Sequence, residues 1–267
     1  MESIKPLQPA IPAKFQQYES LLRSNARRVV ALNLRGVKAT NNDEFEAQVA
    51  ANPTSSRIGG QALVSATHPW PVDTAGKPMM FLAQLNLAEL PPLEDHPTDG
   101  MLQFFHANDD CYGYEEGHLV RYLSPTDLPG AHLEGSIETQ TDSIVGGYFE
   151  IEGQLLDQLP TYEDFQTIKM PEELADKDAD FYDMTSLNPT NNIYGNGWAY
   201  FTQWDPRDGS DPVPANARLL FQVDTSYDEE SKVEIMFGDV GVVNFFITAE
   251  DLAEQRFDRT YFSFDCC

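Results

Sequence analysis

The sequence predicts an α+β protein that is predominantly antiparallel β-sheet, with an N-terminal helix and an internal duplication of a β-rich unit in pseudo-twofold symmetry. Three observations support this prediction. Short apolar segments are separated by turns, long helical patterns are few, and similar segments recur in the same order in both halves of the 267-residue chain. Strands joined by short turns are typical of antiparallel sheets, because parallel strands need longer crossover connections.

The opening of the chain predicts a helix, a strand and a second helix. Residues 12–25 place their apolar side chains on one helical face, and Pro12 suits the first turn. Residues 28–37 alternate apolar and polar side chains, as a half-buried strand does. A short helix is predicted within the polar stretch that follows, at 43–50.

The main body of the chain predicts a series of buried strands. The stretch IMFGDVGVVNFFITAEDL (235–252) indicates a strand, a Gly-Asp turn, a second strand and a helix that Thr248 caps. The acidic region before residue 192 shows only short apolar runs and a helix start at 171–183. Apolar runs bounded by turn residues predict the other strands, at 79–87, 101–107, 119–123, 217–225 and 259–266.

Three blocks of sequence recur in the second half of the chain. GQALVSATHP (60–69) aligns with GWAYFTQWDP (197–206) at an offset of 137 residues. Gln84 in FLAQLN aligns with Gln222 in LFQVD at an offset of 138. GMLQFF (100–105) aligns with GVVNFF (241–246) at an offset of 141. A slowly growing offset is what loop insertions produce in a repeated unit.

The repeat predicts how the chain is organised. We expect residues 1–267 to form one domain, in which a first unit spans about 57–123 and a second unit about 193–267. An acidic segment, about 124–192, connects the two units. A cleft between the units is the natural place for a ligand.

The charge of the chain excludes some classes of partner. Its 43 acidic and 17 basic residues give a formal charge of −26. A nucleic-acid-binding protein needs a basic face, and an anionic membrane would repel this chain as well. A strong negative field instead attracts a basic polypeptide, although a well-solvated acidic surface needs no partner at all. The oligomeric state is left open.

Several features favour a cytoplasmic protein. No segment approaches the roughly 20 consecutive apolar residues that a membrane-spanning helix needs. The first residues lack the apolar core of a signal peptide. The cysteines Cys111, Cys266 and Cys267 do not form a disulfide framework, which suits a reducing compartment.

No catalytic residue, metal site or cofactor is predicted. The five histidines all lie in the first half of the chain, no nucleophile elbow occurs, and Cys111 lies in an acidic turn that would raise its thiol pKa. Calcium is an open alternative at DPRDGSD (205–211), where Asp205, Asp208 and Asp211 surround Gly209. That turn lacks the spacing and the closing glutamate of an EF-hand.

Candidate ligand-binding residues are amides repeated within apolar strands, together with aromatic and charged residues nearby. A buried amide must find hydrogen-bond partners, so one interpretation is purely structural: these amides fix loops and sheet register. The other is that they line the cleft between the units and bond an extended peptide, with tryptophan walls that include Trp198. The candidates are Trp70, Gln84, Gln103, Trp204, Asp205, Arg207, Gln222, Asp239 and Asn244.

The chain resembles the YwqG-like family, a bacterial domain family of unknown function, over about residues 57–266. It departs from the family at Phe237 and Phe264, where the family usually has tryptophan. The matching stretches are RIGG (57–60), WP (70–71), FLAQLNL (81–87), GMLQFF (100–105), FTQWDPR (201–207), LLFQVD (219–224), MFGDVGVVNFFI (236–247) and YFSFDC (261–266).

The family is similar in domain type to eukaryotic proteins related to programmed cell death protein two, which escort a ribosomal protein. The resemblance therefore implies a protein- or peptide-binding module. Our first hypothesis is a non-enzymatic binding protein, of the escort or immunity type, that recognises a basic polypeptide. The alternative is a small-ligand or calcium-binding protein, or an enzyme, that uses an acidic cleft between the repeats.

Overall fold

The computed structural model describes residues 5–115, 117–160, 187–209 and 212–266. The α-helices are α1 (Glu19–Ser24), which continues a 3-10 helix over Ala13–Tyr18, α2 (Asn42–Ala51) and α3 (Ala249–Ala253). The strands are β1 (Arg27–Lys38), β2 (Arg57–Ile58), β3 (Ala62–Val64), β4 (Met80–Asn86), β5 (Met101–His106), β6 (His118–Leu123), β7 (His132–Glu134), β8 (Ile144–Val145), β9 (Gly147–Gln158), β10 (Ile193–Tyr194), β11 (Arg218–Asp224), β12 (Ser226–Tyr227), β13 (Glu234–Ile235), β14 (Val242–Ile247) and β15 (Tyr261–Asp265).

One ten-stranded sheet organises the fold, in the order β15-β14-β11-β10-β1-β9-β2-β4-β5-β6. Neighbouring strands in it pair antiparallel throughout. Two smaller sheets, β12-β13-β8 and β3-β7, are also antiparallel. The predicted mainly antiparallel architecture and the N-terminal helix are therefore confirmed.

The large sheet curls until its two edges meet, which makes it a near-barrel. The His118 ring on β6 stacks on Phe262 of β15 at 5.5 Å between ring centroids. The same ring has Nε2 at 3.0 Å from the carbonyl oxygen of Thr260. Contact between the edge strands protects backbone groups that would otherwise attract another chain.

A long antiparallel pair, β1 and β9, forms the middle of the sheet. Each strand has 12 residues, and they pair from Arg27 opposite Gln158 to Lys38 opposite Gly147. The length of β9 was not predicted, because Glu150, Glu152 and Gln154 interrupt its apolar pattern. Pairing with neighbouring strands satisfies the backbone of β9 despite these polar side chains.

The near-barrel is filled by side chains from both of its sides. Phe104 on β5 lies 4.2 Å from Phe221 on β11 and 5.1 Å from Phe245 on β14, measured between ring centroids. All three rings are fully buried. Room for a ligand is therefore found at the rims and on the outer faces of the sheet.

Segments outside the sheet cover its outer faces. Phe201 packs on Phe246, and both belong to an apolar cluster with Leu219. In α3, Thr248 accepts a hydrogen bond from the backbone N–H of Asp251, which confirms the predicted helix cap. The helix expected at 171–183 lies outside the described residues, as does the whole stretch 161–186 of the acidic connecting segment.

Within the described ranges, no helix combines the length and the apolar character that crossing a membrane requires.

Buried histidines make the stability of this fold dependent on pH. Burial lowers the pKa of His96, His106 and His118 below the ordinary value of 6.5. Below about pH 6.5 the unfolded chain therefore binds protons that the folded chain does not. The free energy of unfolding should fall as the pH drops from neutral towards about 5.5, which chemical denaturation at both pH values will measure.

Two variants test the origin of this dependence. His118→Phe keeps an aromatic ring against Phe262 and should reduce the pH slope. A change at the exposed His132, to glutamine, should leave the slope as it is. Equal slopes in all three proteins would contradict the assignment to the buried histidines.

Candidate functional site

The predicted amides of the first half fasten loops onto the sheet. Gln84 Nε2 donates to the carbonyl oxygens of Pro53 and Ser55, at 3.1 and 2.9 Å. Gln103 Nε2 donates to the carbonyl oxygen of Leu63 at 3.0 Å and lies 3.3 Å from Gln84 Oε1. Both side chains are fully buried, so their polar atoms face protein groups rather than solvent.

The predicted amides of the second half make closely similar bonds. Gln222 Oε1 accepts from the backbone N–H of Tyr200 at 2.8 Å, and its Nε2 donates to the carbonyl oxygen of Asn191. Asn244 Nδ2 donates to the carbonyl oxygen of Tyr200 at 3.2 Å. Gln222 and Asn244 are fully buried as well. Their role in binding a ligand remains a prediction, and the geometry adds a structural role.

Replacing Gln222 with leucine tests the structural role directly. The change leaves the Tyr200 N–H and the Asn191 carbonyl without their partner, so we expect a loss of about 2–3 kcal/mol in the free energy of unfolding. Gln84→Leu should cost a similar amount. Urea denaturation of both variants measures this, and a Gln222→Leu protein as stable as wild type would argue against it.

The remaining predicted residues lie in separate places. Trp70 donates its indole N–H to the Met79 carbonyl oxygen at 2.9 Å and packs edge-on against Phe105. Trp204 is 52% exposed. Asp239 is exposed in the tight turn before β14. The candidates therefore do not all share one cleft.

Asp205 and Arg207 are brought together. Arg207 donates from Nε and Nη2 to the two carboxylate oxygens of Asp205, at 2.8 and 2.7 Å. This pairing competes with the calcium alternative, and Asp211 lies outside the described residues. Across the described ranges, no three His, Cys, Asp or Glu side chains are gathered as metal ligands.

The Asp205–Arg207 pair lines a pocket of about 500 Å³, which we call the arginine pocket. It lies where β1 and β11 begin, beside the 3-10 helix Pro206–Asp208. The described residues that line it are Arg27, Asn196, Trp198, Asp205, Arg207, Asp208, Ala215, Asn216, Ala217 and Arg218.

A second depression of about 600 Å³ runs along β1, and we call it the edge groove. Its floor is apolar and its rim is polar and acidic, which is the common composition of a peptide-binding surface. The described residues that line it are Leu32, Asn33, Leu34, Phe149, Pro189, Thr190, Asn192, Ser226, Tyr227, Asp228, Glu229 and Glu230.

The acids at the rim of the edge groove differ in their roles. Asp228 accepts hydrogen bonds from the backbone N–H groups of Gly36, Glu230 and Ser231, and these bonds lower its pKa to about 2. Asp228 therefore holds the rim in place as a permanent anion. Glu229 pairs with Lys232 at 3.1 Å on the surface.

One buried carboxyl group, Asp265, and one half-buried carboxyl group, Asp224, hold covering segments in place. Burial raises the pKa of Asp224 and of Asp265. Asp265 accepts from the backbone N–H groups of Thr202 and Gln203, at 2.7 and 2.8 Å. Asp224 accepts from Asn191 Nδ2 at 2.9 Å. Like the buried amides, these groups anchor covering segments to the sheet.

Two buried arginines were not predicted. Arg57 is fully buried and donates to backbone carbonyl oxygens, including that of Gln61 at 3.2 Å. Arg121 donates to Gln103 Oε1 at 2.8 Å and to the carbonyl oxygen of Pro69. A signal was present for Arg121, since one charged residue within the apolar run LVRYL must find partners if the strand is buried.

The fold and its surfaces define a mainly antiparallel β-protein with a packed near-barrel, whose surface depressions include the arginine pocket and the edge groove. Residues 56–266 match the model of a family described as Domain of unknown function (DUF1963), and the chain belongs to that family. No curated protein matches the chain.

Proposed function

We propose that this protein is a non-enzymatic binding module that takes up an extended, basic polypeptide in the edge groove. The observation behind the proposal is an open stretch of β1 beside a cluster of acids. The polypeptide would lie extended along the groove and pair its backbone with β1 at the open position Leu34, so that backbone hydrogen bonds contribute affinity and side chains supply specificity.

Backbone hydrogen bonds locate the open stretch. On the side of β1 away from β9, the Leu32 N–H donates to the Asn192 carbonyl oxygen at 2.9 Å, and the Gly36 N–H donates to Asp228. The N–H and C=O of Leu34, midway between them, point to the same side because strand residues alternate. Among the described residues, no group bonds to Leu34 on that side.

The segment before β10, residues 189–192, turns away from β1 at this point. The Asn192 N–H bonds to the hydroxyl of Thr190 at 3.0 Å instead of to β1. Pro189, further along the same wall, has no N–H to offer. The gap left between this wall and β1 is the edge groove, and it exposes strand backbone to an incoming peptide.

The charge of the rim favours a basic partner. Asp228, Glu229 and Glu230 lie together at the groove, and Lys232 neutralises only part of their charge. The net charge of −26 extends the attraction over the whole molecule. Tyr227 is half-exposed beside the acids, and the Lys232 ammonium lies over its ring at 5.6 Å from the centroid, so a lysine of the partner would have to share or displace that contact.

A designed peptide tests the proposal. A capped decapeptide of alternating lysine and threonine should bind at low salt, and its affinity should fall about tenfold or more at about 0.3 M salt. The same peptide with glutamate in place of lysine should not bind. N-methylation of its backbone amides should abolish binding, because a strand needs its N–H donors. Fluorescence anisotropy of labelled peptides measures all three.

Matched variants locate the site. The double change Glu229→Gln and Glu230→Gln should weaken binding several-fold, through the loss of two nearby charges. The double change Glu254→Gln and Asp258→Asn removes the same amount of charge from the segment between α3 and β15, away from the edge groove. It should weaken peptide binding less. Equal effects of the two pairs would reduce the proposal to non-specific attraction.

The same proposal places the chain in the YwqG-like branch and relates it to escorts of the programmed cell death protein two type. A cytoplasmic escort, or an immunity factor against a basic toxin, would both use an acidic groove of this kind. The −26 charge supports a basic partner, and the lack of a long apolar segment in the sequence supports the proposed cytoplasmic location.

The proposal also treats residues 57–123 and 193–267 as two copies of one unit. Register shifts occur between Phe81 and Ala83 and between Leu219 and Phe221, which are positions separated by the same offset of 138 as the two glutamines. Outwards from the central pair of strands β1 and β9, the strands β2, β4, β5 and β6 on one side correspond to β10, β11, β14 and β15 on the other. Both observations support a duplication.

A further inference from the structure

We propose that the arginine pocket binds a small anionic ligand through a carboxylate or phosphate group. This site is separate from the edge groove and has the opposite charge preference. The described lining contains three arginines and two aspartates, whereas the chain as a whole carries a charge of −26. Three of the ten arginines in the sequence thus converge on one pocket.

Arg218 is the residue that most clearly needs a partner. It is half-buried, and within the described ranges no carboxylate lies at ion-pair distance from it. Its charge contributes to lowering the pKa of His96. An anion in the pocket would give the Arg218 guanidinium a charge-assisted hydrogen-bond partner.

Arg207 is held ready for the same ligand. Its ion pair with Asp205 uses Nε and Nη2, its Nη1 makes a long contact of 3.5 Å with the Ala217 carbonyl oxygen that a ligand could replace, and its guanidinium carbon lies 5.2 Å from the Phe246 ring centroid. These contacts fix the plane of the guanidinium before any ligand arrives. A positioned arginine loses less conformational entropy on binding, which favours affinity.

Arg27 and Trp198 form a flat wall of the pocket. The Arg27 guanidinium carbon lies 3.2 Å from the Trp198 ring centroid, and Arg27 Nη1 donates to the Gly197 carbonyl oxygen at 3.1 Å. Trp198 is itself held by a bond from its indole N–H to the Asn25 carbonyl oxygen. A ligand with a planar group beside its anion would lie against this wall.

The amides at the mouth complete the chemistry of the site. Asn196 and Asn216 line the pocket and offer both donors and acceptors. The pocket volume of about 500 Å³ suits a metabolite-sized molecule rather than a bare ion alone. Carboxylate and phosphate both match the arginine fork, so the probes must separate them.

The test titrates the full chain with three probes: inorganic phosphate, phenyl phosphate and benzoate. Isothermal calorimetry and thermal unfolding should both show saturable binding of at least one probe. Stronger binding of phenyl phosphate than of phosphate would support the flat wall. Tighter binding of benzoate than of phenyl phosphate would indicate that the natural ligand carries a carboxylate. Tighter binding of phenyl phosphate would indicate that it carries a phosphate.

Variants separate this site from general salt effects. Arg218→Gln should weaken binding of the best probe about tenfold or more, while Arg259→Gln, at an exposed arginine beside the seam, should keep it. If Arg218→Gln does not fold, Asn216→Asp introduces a repelling charge at an exposed position and should weaken binding instead. Glu229→Gln with Glu230→Gln should not weaken it.

Absence of saturable binding for all three probes would overturn the proposal. Saturable binding that survives both Arg218→Gln and Asn216→Asp would overturn it too, because the ligand would then sit elsewhere. Either result leaves the peptide-binding proposal standing, since that proposal depends on a different surface.

Discussion

Replacing Arg57 with methionine is expected to lower the free energy of unfolding by about 3–5 kcal/mol. Arg57 is fully buried, and it donates to the carbonyl oxygens of Pro53 and Ser55 at 3.1 Å and of Gln61 at 3.2 Å. Methionine fills a similar volume but removes the donor from the buried Gln61 carbonyl oxygen and from the partly buried carbonyl oxygens of Pro53 and Ser55, which keep only Gln84 as a partner. Guanidinium denaturation of the purified variant measures the loss.

The reason for the large effect is that Arg57 joins two loops. Burial lowers its pKa to about 9, so the guanidinium is still charged at neutral pH. Its donors tie the loop before β2 to the turn after it, and the amide of Gln84 meets the same carbonyls of Pro53 and Ser55. Losing Arg57 should therefore also loosen the loops before and after β2 that pack on this side of the sheet.

The control for Arg57 is an exposed arginine. Arg28→Met removes an arginine that is half-exposed and pairs with Asp157 on the surface, so the expected loss is below about 1 kcal/mol. If Arg57→Met were as mild as Arg28→Met, the carbonyl bonds would not contribute to stability as described.

Replacing Phe104 with alanine should also cost about 3–5 kcal/mol, through lost apolar burial and the cavity that remains. Phe104 is the side chain that joins the two sides of the near-barrel, at 4.2 Å from Phe221 and 5.1 Å from Phe245. Chemical denaturation followed by tryptophan fluorescence and by far-ultraviolet circular dichroism measures the change.

Phe104→Leu is the matched control, because leucine keeps most of the apolar volume and should cost less than about 2 kcal/mol. Both variants should still unfold in one transition seen equally by the two probes, provided that the wild-type protein does so. A loss below about 1 kcal/mol for Phe104→Ala would mean that the interior is not packed as the ring distances indicate.

Much of the fold could be predicted because many of its strands are indicated by apolar patterns among residues close together in the sequence. The apolar runs at 79–87, 101–107 and 217–225 became β4, β5 and β11 with only small changes at their ends. Thr248 caps α3 as expected, since a cap depends on residues three positions apart. Local patterns of this kind need no knowledge of the rest of the chain.

The middle of the sheet could not be predicted in the same way. β9 contains Glu150, Glu152 and Gln154, so its pattern lacks the apolar run of a central strand. What makes it a strand is pairing with β1, more than a hundred residues earlier in the sequence. A partner so distant is invisible to a reading of neighbouring residues.

The candidate sites also combine residues that are close in sequence with residues that only folding brings together. Asp205 and Arg207 could be proposed because they are neighbours in sequence, and they do line a pocket together. Arg27 and Arg218 could not be proposed as members of this pocket from the sequence. They reach it only because the starts of β1 and β11 lie at the same end of the folded sheet. The open edge at Leu34 is likewise a property of what its neighbours leave unpaired.

By itself, the sequence determined the strand-rich class of this protein, its acidic character, the Thr248 cap of its last helix and the polar residues that its buried strands must satisfy. These follow from the periodicity and chemistry of residues close together in the chain. Only the tertiary structure decided that two arginine-bearing strands would share a rim and that Leu34 of β1 would have no hydrogen-bond partner among the described residues on the side away from β9. Both depend on long-range pairing, in which the free energy comes from contacts between segments far apart in sequence.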